Sequence, residues 1–330
     1  MLLYFAMVIC GISLLVWSAD RFTDGAAAIA RNFGISPLVV GLTIVAMGSS
    51  APEVVVSINS ALNDTPGLAL GNAIGSNIAN IAMVLGITAL VVPLKIQSAT
   101  LKREIPILFF FMLMVFYMLS DLVLSFWDGI VLISSLVAYL GWLIYIARKS
   151  RTEFSSGEEC NDLMLEEIID ELPDQMPNSK AIFWVILGLL ILQVSSRMLV
   201  FGATNIAYMF GVSDFIIGIT IVAVGTSLPE LAASVSGVLK GEHELAIGNV
   251  IGSNIFNLLI VLGIPGIITW VAIPVNVLEF DYAIMFGLTV AMSIMAWGSK
   301  GKPGEITRLE GSLLLSCFIG YQTYQLFFNS

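Results

Sequence analysis

The sequence predicts an all-α membrane protein of ten transmembrane helices, arranged as two inverted-topology repeats of five. Three observations predict it. The first is composition: of 330 residues, 58% are hydrophobic and 12% charged, with a mean hydropathy of +0.95, whereas a soluble domain carries about 25% charged residues. The second is the number of apolar segments of bilayer length, about 20 residues each. The third is an internal repeat. Residues 41–54, GLTIVAMGSSAPEV, match 218–231, GITIVAVGTSLPEL, at nine of fourteen positions, and 69–80, ALGNAIGSNIAN, match 246–257, AIGNVIGSNIFN, at nine of twelve. The offset is 177 residues both times, with no gap.

Taken in order, the first apolar segment, 2–29, has neither a basic n-region nor a small-residue cleavage site, so it reads as a span and not a removable leader. Segments 36–62 and 67–92 carry the first copies of the two motifs, and 103–120 and 122–147 complete a first repeat over 1–147. The one long polar connection, 148–179, links the halves; nine of the 24 acidic residues fall between Glu153 and Asp174. Within it, NDLMLEEIIDEL at 161–172 has the apolar spacing of a short amphipathic surface helix, without the spacing of an EF-hand. Segments 180–207, 213–239, 243–270, 279–298 and 307–328 make the second repeat, over 180–330, with the second motif copies on 213–239 and 243–270.

Basic residues orient the spans. Twelve of the fourteen, among them Arg31, Lys95, Arg148, Lys240 and Lys302, fall in odd-numbered connections, and none in even-numbered ones. The odd connections are therefore expected in the cytoplasm and both termini outside a plasma (inner) membrane. Arg21 and Arg197, with Asp20, lie toward the ends of the first and sixth spans, where snorkelling or local ion pairing is expected. Five spans is an odd number, so the halves enter the membrane from opposite sides. That is the inverted repeat of many secondary transporters, whose substrate site lies at the repeat interface near the midplane.

Composition also excludes functions. A net charge of −10 and a single histidine argue against nucleic-acid binding. Cys10, Cys160 and Cys317 are far apart and odd in number, with no disulfide or metal spacing. No enzymatic activity and no resident cofactor are expected, and a monomer is expected to suffice.

The repeat carries chemistry. Glu53 and Glu230 each lie deep inside an apolar span, where a charge costs at least about 2.5–3.5 kcal/mol. Neither has a basic residue at the same depth of its own helix, so a bound cation is the expected partner. Pro52 and Pro229 cannot donate a backbone hydrogen bond, and each clashes with the carbonyl four residues back, at Gly48 and Gly225. Both helices should break there and free carbonyls around Ala46–Ser49 and Ala223–Thr226. Ala46, Ser49, Ser50 and Glu53 share a helical face, as do Ala223, Thr226, Ser227 and Glu230. Ser76 and Asn80 are four apart on the next span, as are Ser253 and Asn257, while Gly71/Gly75 and Gly248/Gly252 should admit close helix packing. Such an all-oxygen site suits hard cations, Ca²⁺ above all, with Na⁺ using subsets of the ligands. One ligand set accepting either load gives antiport by competition. The alternatives are a Ca²⁺/H⁺ exchanger of the same fold, a channel, and a non-transporting scaffold.

The two motif pairs resemble the α-repeats of the calcium/cation antiporter superfamily, nearest to its prokaryotic sodium/calcium exchangers and YrbG-like branch. The resemblance covers both repeats and the ten-span layout. It implies the sodium/calcium exchanger fold, Na⁺ and Ca²⁺ as transported ions, and Glu53 and Glu230 as the central carboxylates. It further implies ligands from Ser49, Ser50, Ser76, Asn80, Thr226, Ser227, Ser253 and Asn257, carbonyls from Ala46 and Ala223, and a gating pair made of the first and sixth spans. Ser49 stands where many relatives have Thr, and Asn257 where K⁺-dependent relatives carry Asp, which argues against K⁺ cotransport.

Overall fold

The computed structural model describes residues 2–63, 66–96, 98–156, 176–210, 223–297 and 304–328. They form helices α1 (Leu2–Phe33), α2 (Pro37–Ser49), α3 (Ala51–Leu62), α4 (Gly67–Val91), α5 (Ser98–Leu119) and α6 (Phe126–Ser156). The second half supplies α7 (Asn178–Met209), α8 (Ala223–Thr226), α9 (Leu228–Leu239), α10 (His243–Ile268), α11 (Val277–Met295) and α12 (Arg308–Phe328). Two short antiparallel pairs tie the halves together: β1 (Leu94–Ile96) with β4 (Gly304–Ile306), and β2 (Val123–Leu124) with β3 (Val271–Ala272).

Among the described residues six helices are long and apolar enough to cross a membrane, seven if the bent pair α2–α3 counts as one span. Large apolar side chains such as Tyr117, Trp127, Phe183 and Trp297 are exposed around the outside, as a lipid-facing surface requires. Helix α6 runs on through Ser156, nine residues past the end of its apolar span at Ala147. The expected amphipathic helix at 161–172, and the start of the seventh expected span, lie outside the described residues.

The larger hydrophobic cluster centres on α4 and α10, joined by α5, α6, α11 and α12. A smaller one joins α1 and α7 to α2 and α9. Glycines set the α1–α7 contact. A Cβ on Gly11 would meet Leu199, and one on Gly188 would meet Phe22; a Cβ on Gly25 would meet Val185, and one on Gly202 would meet Val8. Each of these pairs becomes the other when 177 is added to or subtracted from its numbers. The long helices therefore cross with a two-fold relation, although the repeated motifs lie elsewhere in the chain. At its far end α1 is fastened to the α9–α10 turn: Lys240 Nζ pairs with Asp20 at 2.7 Å and Asp24 at 2.6 Å, and Arg31 with Glu242 at 3.3 Å. These pairs give Asp20 the local ion pairing that its position suggested. Burial raises the Glu242 carboxyl above its ordinary range, and Arg31 and Lys240 oppose that rise.

Candidate cation site

Each proline breaks its helix. The α2–α3 pair bends by 45° at Ser50 (φ −81, ψ 9), and α8 gives way to α9 at Ser227 (φ −88, ψ 5). Pro52 and Pro229 sit in the first turn beyond each break, where a missing N–H costs nothing. Glu53 and Glu230 follow directly, in the first turns of α3 and α9. There the free N–H groups and the helix dipole favour negative charge.

Helices α4 and α10 face these breaks with a second irregularity. Each contains one π-helical segment, Asn80–Val84 and Asn257–Val261, at matched positions of the repeat. A π turn shifts the side chains that follow it and is frequent at functional sites. It begins here at the two asparagines expected as ligands.

The site is buried and crosses the repeats. Glu53 and Glu230 are each 1% exposed, and the Glu230 carboxylate lies near enough to act electrostatically on Glu53. Ser50 Oγ donates to Glu230 Oε1 at 2.9 Å, and Ser49 Oγ donates to Asn249 Oδ1 at 3.1 Å. Ser76 sits beside Glu53. Among the described residues both carboxylate oxygens of Glu53, Glu230 Oε2, both amide ends of Asn80 and Asn257, and the hydroxyls of Ser227 and Ser253 are buried without a hydrogen-bond partner. Unpartnered buried oxygens are costly and rare. Here they come from the two breaks and the two facing helices. An all-oxygen set with two carboxylates and no sulfur or imidazole suits a hard cation such as Ca²⁺ or Na⁺.

The expected free carbonyls are corrected in part. The Ala46 carbonyl keeps its helical bond, accepting from the Ser50 amide at 3.0 Å. The matched amide, of Ser227, turns instead to the Val224 carbonyl at 3.2 Å. The Gly48 carbonyl, which Pro52 leaves without a donor, accepts from Gln193 Nε2 at 3.2 Å, and the Gly225 carbonyl from Ser196 Oγ at 2.8 Å. Thr226 ends α8. Gly248 and Gly252 do admit close packing, since a Cβ on either would strike α2 between Leu38 and Ala46. Gly71 and Gly75 meet no described residue within 4 Å; the segment that would match α2 lies at 215–222, outside the described residues.

Four residues beyond the expected ligand set also hold the site together. Asn72 Nδ2 donates to the Glu53 carbonyl at 3.2 Å, and Asn249 Nδ2 to the Glu230 carbonyl at 3.1 Å. Their identity at matched positions of the repeat is a usable signal in the sequence. The other two, Gln193 and Ser196, lie on α7, outside the repeated motifs, and carry no such signal.

The chain is similar to known proteins over nearly its whole length. The family model described as sodium/calcium exchanger protein matches residues 3–145 and 180–327. The chain is 46% identical over 327 residues to CaxA of Alkalimonas amylolytica, covering 99% of each. It is 40% identical over 319 residues to the inner membrane protein YrbG of Escherichia coli (strain K12), covering 97% of this chain and 95% of that one. A solved structure of the sodium-calcium exchanger NCX_Mj, soaked with Na⁺ and Sr²⁺, superposes with a TM-score of 0.81 at 29% identity, covering 98% of each chain.

Proposed function

The chain belongs to the sodium/calcium exchanger protein family, which makes it a membrane cation antiporter and not an enzyme, and from that premise we propose that it exchanges Na⁺ for Ca²⁺ by alternating access. The observation that carries this reading is the pair of buried glutamates at matched helix breaks, with unpartnered oxygens converging from both repeats. Glu53 and Glu230 together neutralise one Ca²⁺. Ser49, Ser50, Ser76, Asn80, Thr226, Ser227, Ser253 and Asn257 add neutral oxygens, the backbone at Ala223 adds its carbonyl, and Ala46 adds the second lone pair of a carbonyl that keeps its helical bond. Several Na⁺ share the same carboxylates, each with its own subset of neutral oxygens. The loads compete, so the site carries one or the other across.

The transport unit is a monomer of ten spans in two inverted repeats, 1–147 and 180–330, joined by the acidic connection 148–179. The distribution of basic residues supports a plasma-membrane protein with both termini outside. The two-fold packing of α1 on α7 supports the inverted relation of the halves. The gate is this pair moving against the remaining helices.

The test is isotopic Ca²⁺ uptake into vesicles loaded with Na⁺. Uptake should require the outward Na⁺ gradient and vanish in Glu53→Gln and Glu230→Gln. Equal uptake on a pH gradient without Na⁺ would replace this reading with Ca²⁺/H⁺ exchange.

A further inference from the structure

We infer that Gln193 and Ser196 are positioning residues that set which access state the ion-free protein prefers; this rests on the alternating-access reading above. The two prolines orphan one carbonyl each, at Gly48 and Gly225. Both carbonyls are capped by a single helix, α7. Gln193 Nε2 reaches the Gly48 carbonyl at 3.2 Å and the Ser49 carbonyl at 3.4 Å; Ser196 Oγ reaches the Gly225 carbonyl at 2.8 Å. The residues are three apart and share a face of α7. The glycines allow this approach, for a Cβ on Gly48 would lie 2.9 Å from Leu189, and one on Gly225 would run into Val200. One helix from the second repeat thus grips the broken turns of both.

The grip has no counterpart in the first repeat. The residues of α1 that match Gln193 and Ser196 are Val16 and Ala19, and neither side chain has a donor. In an inverted repeat the opposite access state exchanges the roles of the halves. Helix α1 then takes the place of α7, presenting Ala19 to the Gly48 carbonyl and Val16 to the Gly225 carbonyl. Thr23, the match of Val200, arrives against Gly48 as Val200 here stands against Gly225. Two buried acceptors lose their donors in that state, and a bound cation is what can take their place. The present asymmetry agrees with this order. α1 packs along α9, while the matched contact of α7 with α3 is sparse, so the structure holds one of the two states, the one with both caps formed.

The test is hydrogen-exchange mass spectrometry on the full chain without Na⁺ or Ca²⁺, following 51–62 and 228–239. Gln193→Val with Ser196→Ala should raise exchange in 228–239 and lower it in 51–62. The ratio of the two should change about thirtyfold, since the two lost caps contribute about 1 kcal/mol each and 1.4 kcal/mol is tenfold. Ser196→Ala alone, a change of one hydroxyl, should move both segments in the same directions by less. Adding Val16→Gln and Ala19→Ser to the double variant should push the ratio further toward the opposite state. An unchanged ratio, or exchange rising together in both segments as in a loosened fold, would overturn the inference. Vesicle uptake by the unsubstituted protein judges the Na⁺/Ca²⁺ reading separately: a reciprocal exchange shift without Na⁺-driven uptake sinks that reading and leaves the state preference standing.

Discussion

Ser50 donates a 2.9 Å hydrogen bond to Glu230 across the repeat interface, whereas its match, Ser227, makes none to Glu53, and both of those groups are buried without a described partner. The half-sites are alike in sequence and unlike in bonding. This predicts unequal consequences for two equal substitutions. Ser50→Ala should lower ion-free stability by about 1–3 kcal/mol, because it strands a buried carboxylate oxygen. Ser227→Ala should leave ion-free stability unchanged. Thermal unfolding in Na⁺- and Ca²⁺-free buffer distinguishes them, and a larger loss in Ser227→Ala would contradict the assignment.

As the proposed cation ligands, the two carboxylates serve transport and not the fold. Glu53→Gln and Glu230→Gln should each abolish Ca²⁺ uptake while leaving the ion-free melting temperature unchanged or higher, since a buried charge without a counter-ion is a cost that the amide removes. A variant that melted several degrees lower would show a structural role instead.

Asn249 does more than its match. It donates to the Glu230 carbonyl at 3.1 Å and to Ser234 Oγ at 2.9 Å, and accepts from Ser49 at 3.1 Å; Asn72 donates to the Glu53 carbonyl at 3.2 Å. At about 1 kcal/mol for each bond, Asn249→Ala should cost about 3 kcal/mol and Asn72→Ala about 1. Denaturant or thermal unfolding of the two variants side by side measures the difference, and equal losses would count against it.

Asn257 offers neutral oxygen where the resemblance would allow Asp. Replacing Na⁺-free choline medium with K⁺ medium on the Ca²⁺ side should leave the initial uptake rate unchanged. Asn257→Asp adds a third carboxylate at a buried position and should tighten Ca²⁺ binding about tenfold by calorimetry, since its attraction to the ion, about 4 kcal/mol at 4 Å and an effective dielectric of 20, is largely offset by the cost of burying the charge. A strong K⁺ requirement in the unsubstituted protein would show that an amide at this position does not prevent K⁺ coupling.

Gly252 controls the distance between α10 and the first broken helix. A Cβ there would stand 2.7 Å from the Ala46 Cβ and 2.8 Å from the Leu42 carbonyl. Gly252→Ala should cost about 1–3 kcal/mol as an overpacked contact and weaken Ca²⁺ binding by displacing Ala46–Ser50. Unaltered stability together with unaltered affinity would show that α2 has room to yield.

The sequence by itself determined what repetition and hydropathy can encode. The apolar runs set the helices, and the 177-residue offset alone pairs Glu53 with Glu230, Pro52 with Pro229 and Asn80 with Asn257. Proline chemistry then locates the breaks, because the loss of an N–H is a local property. Tertiary structure decided what depends on distant neighbours: that Ser50 reaches across to Glu230, that the Ala46 carbonyl stays in its helix, that α4 and α10 each carry a π turn at the asparagine expected as a ligand. It also decided that Gln193 and Ser196 hold the orphaned carbonyls. A side chain that satisfies a backbone 145 residues away in sequence, as Gln193 does for Gly48, leaves no periodic mark in the chain. The physical reason is the same in each case. Periodicity records which face of a helix is buried, and only packing records what that face meets.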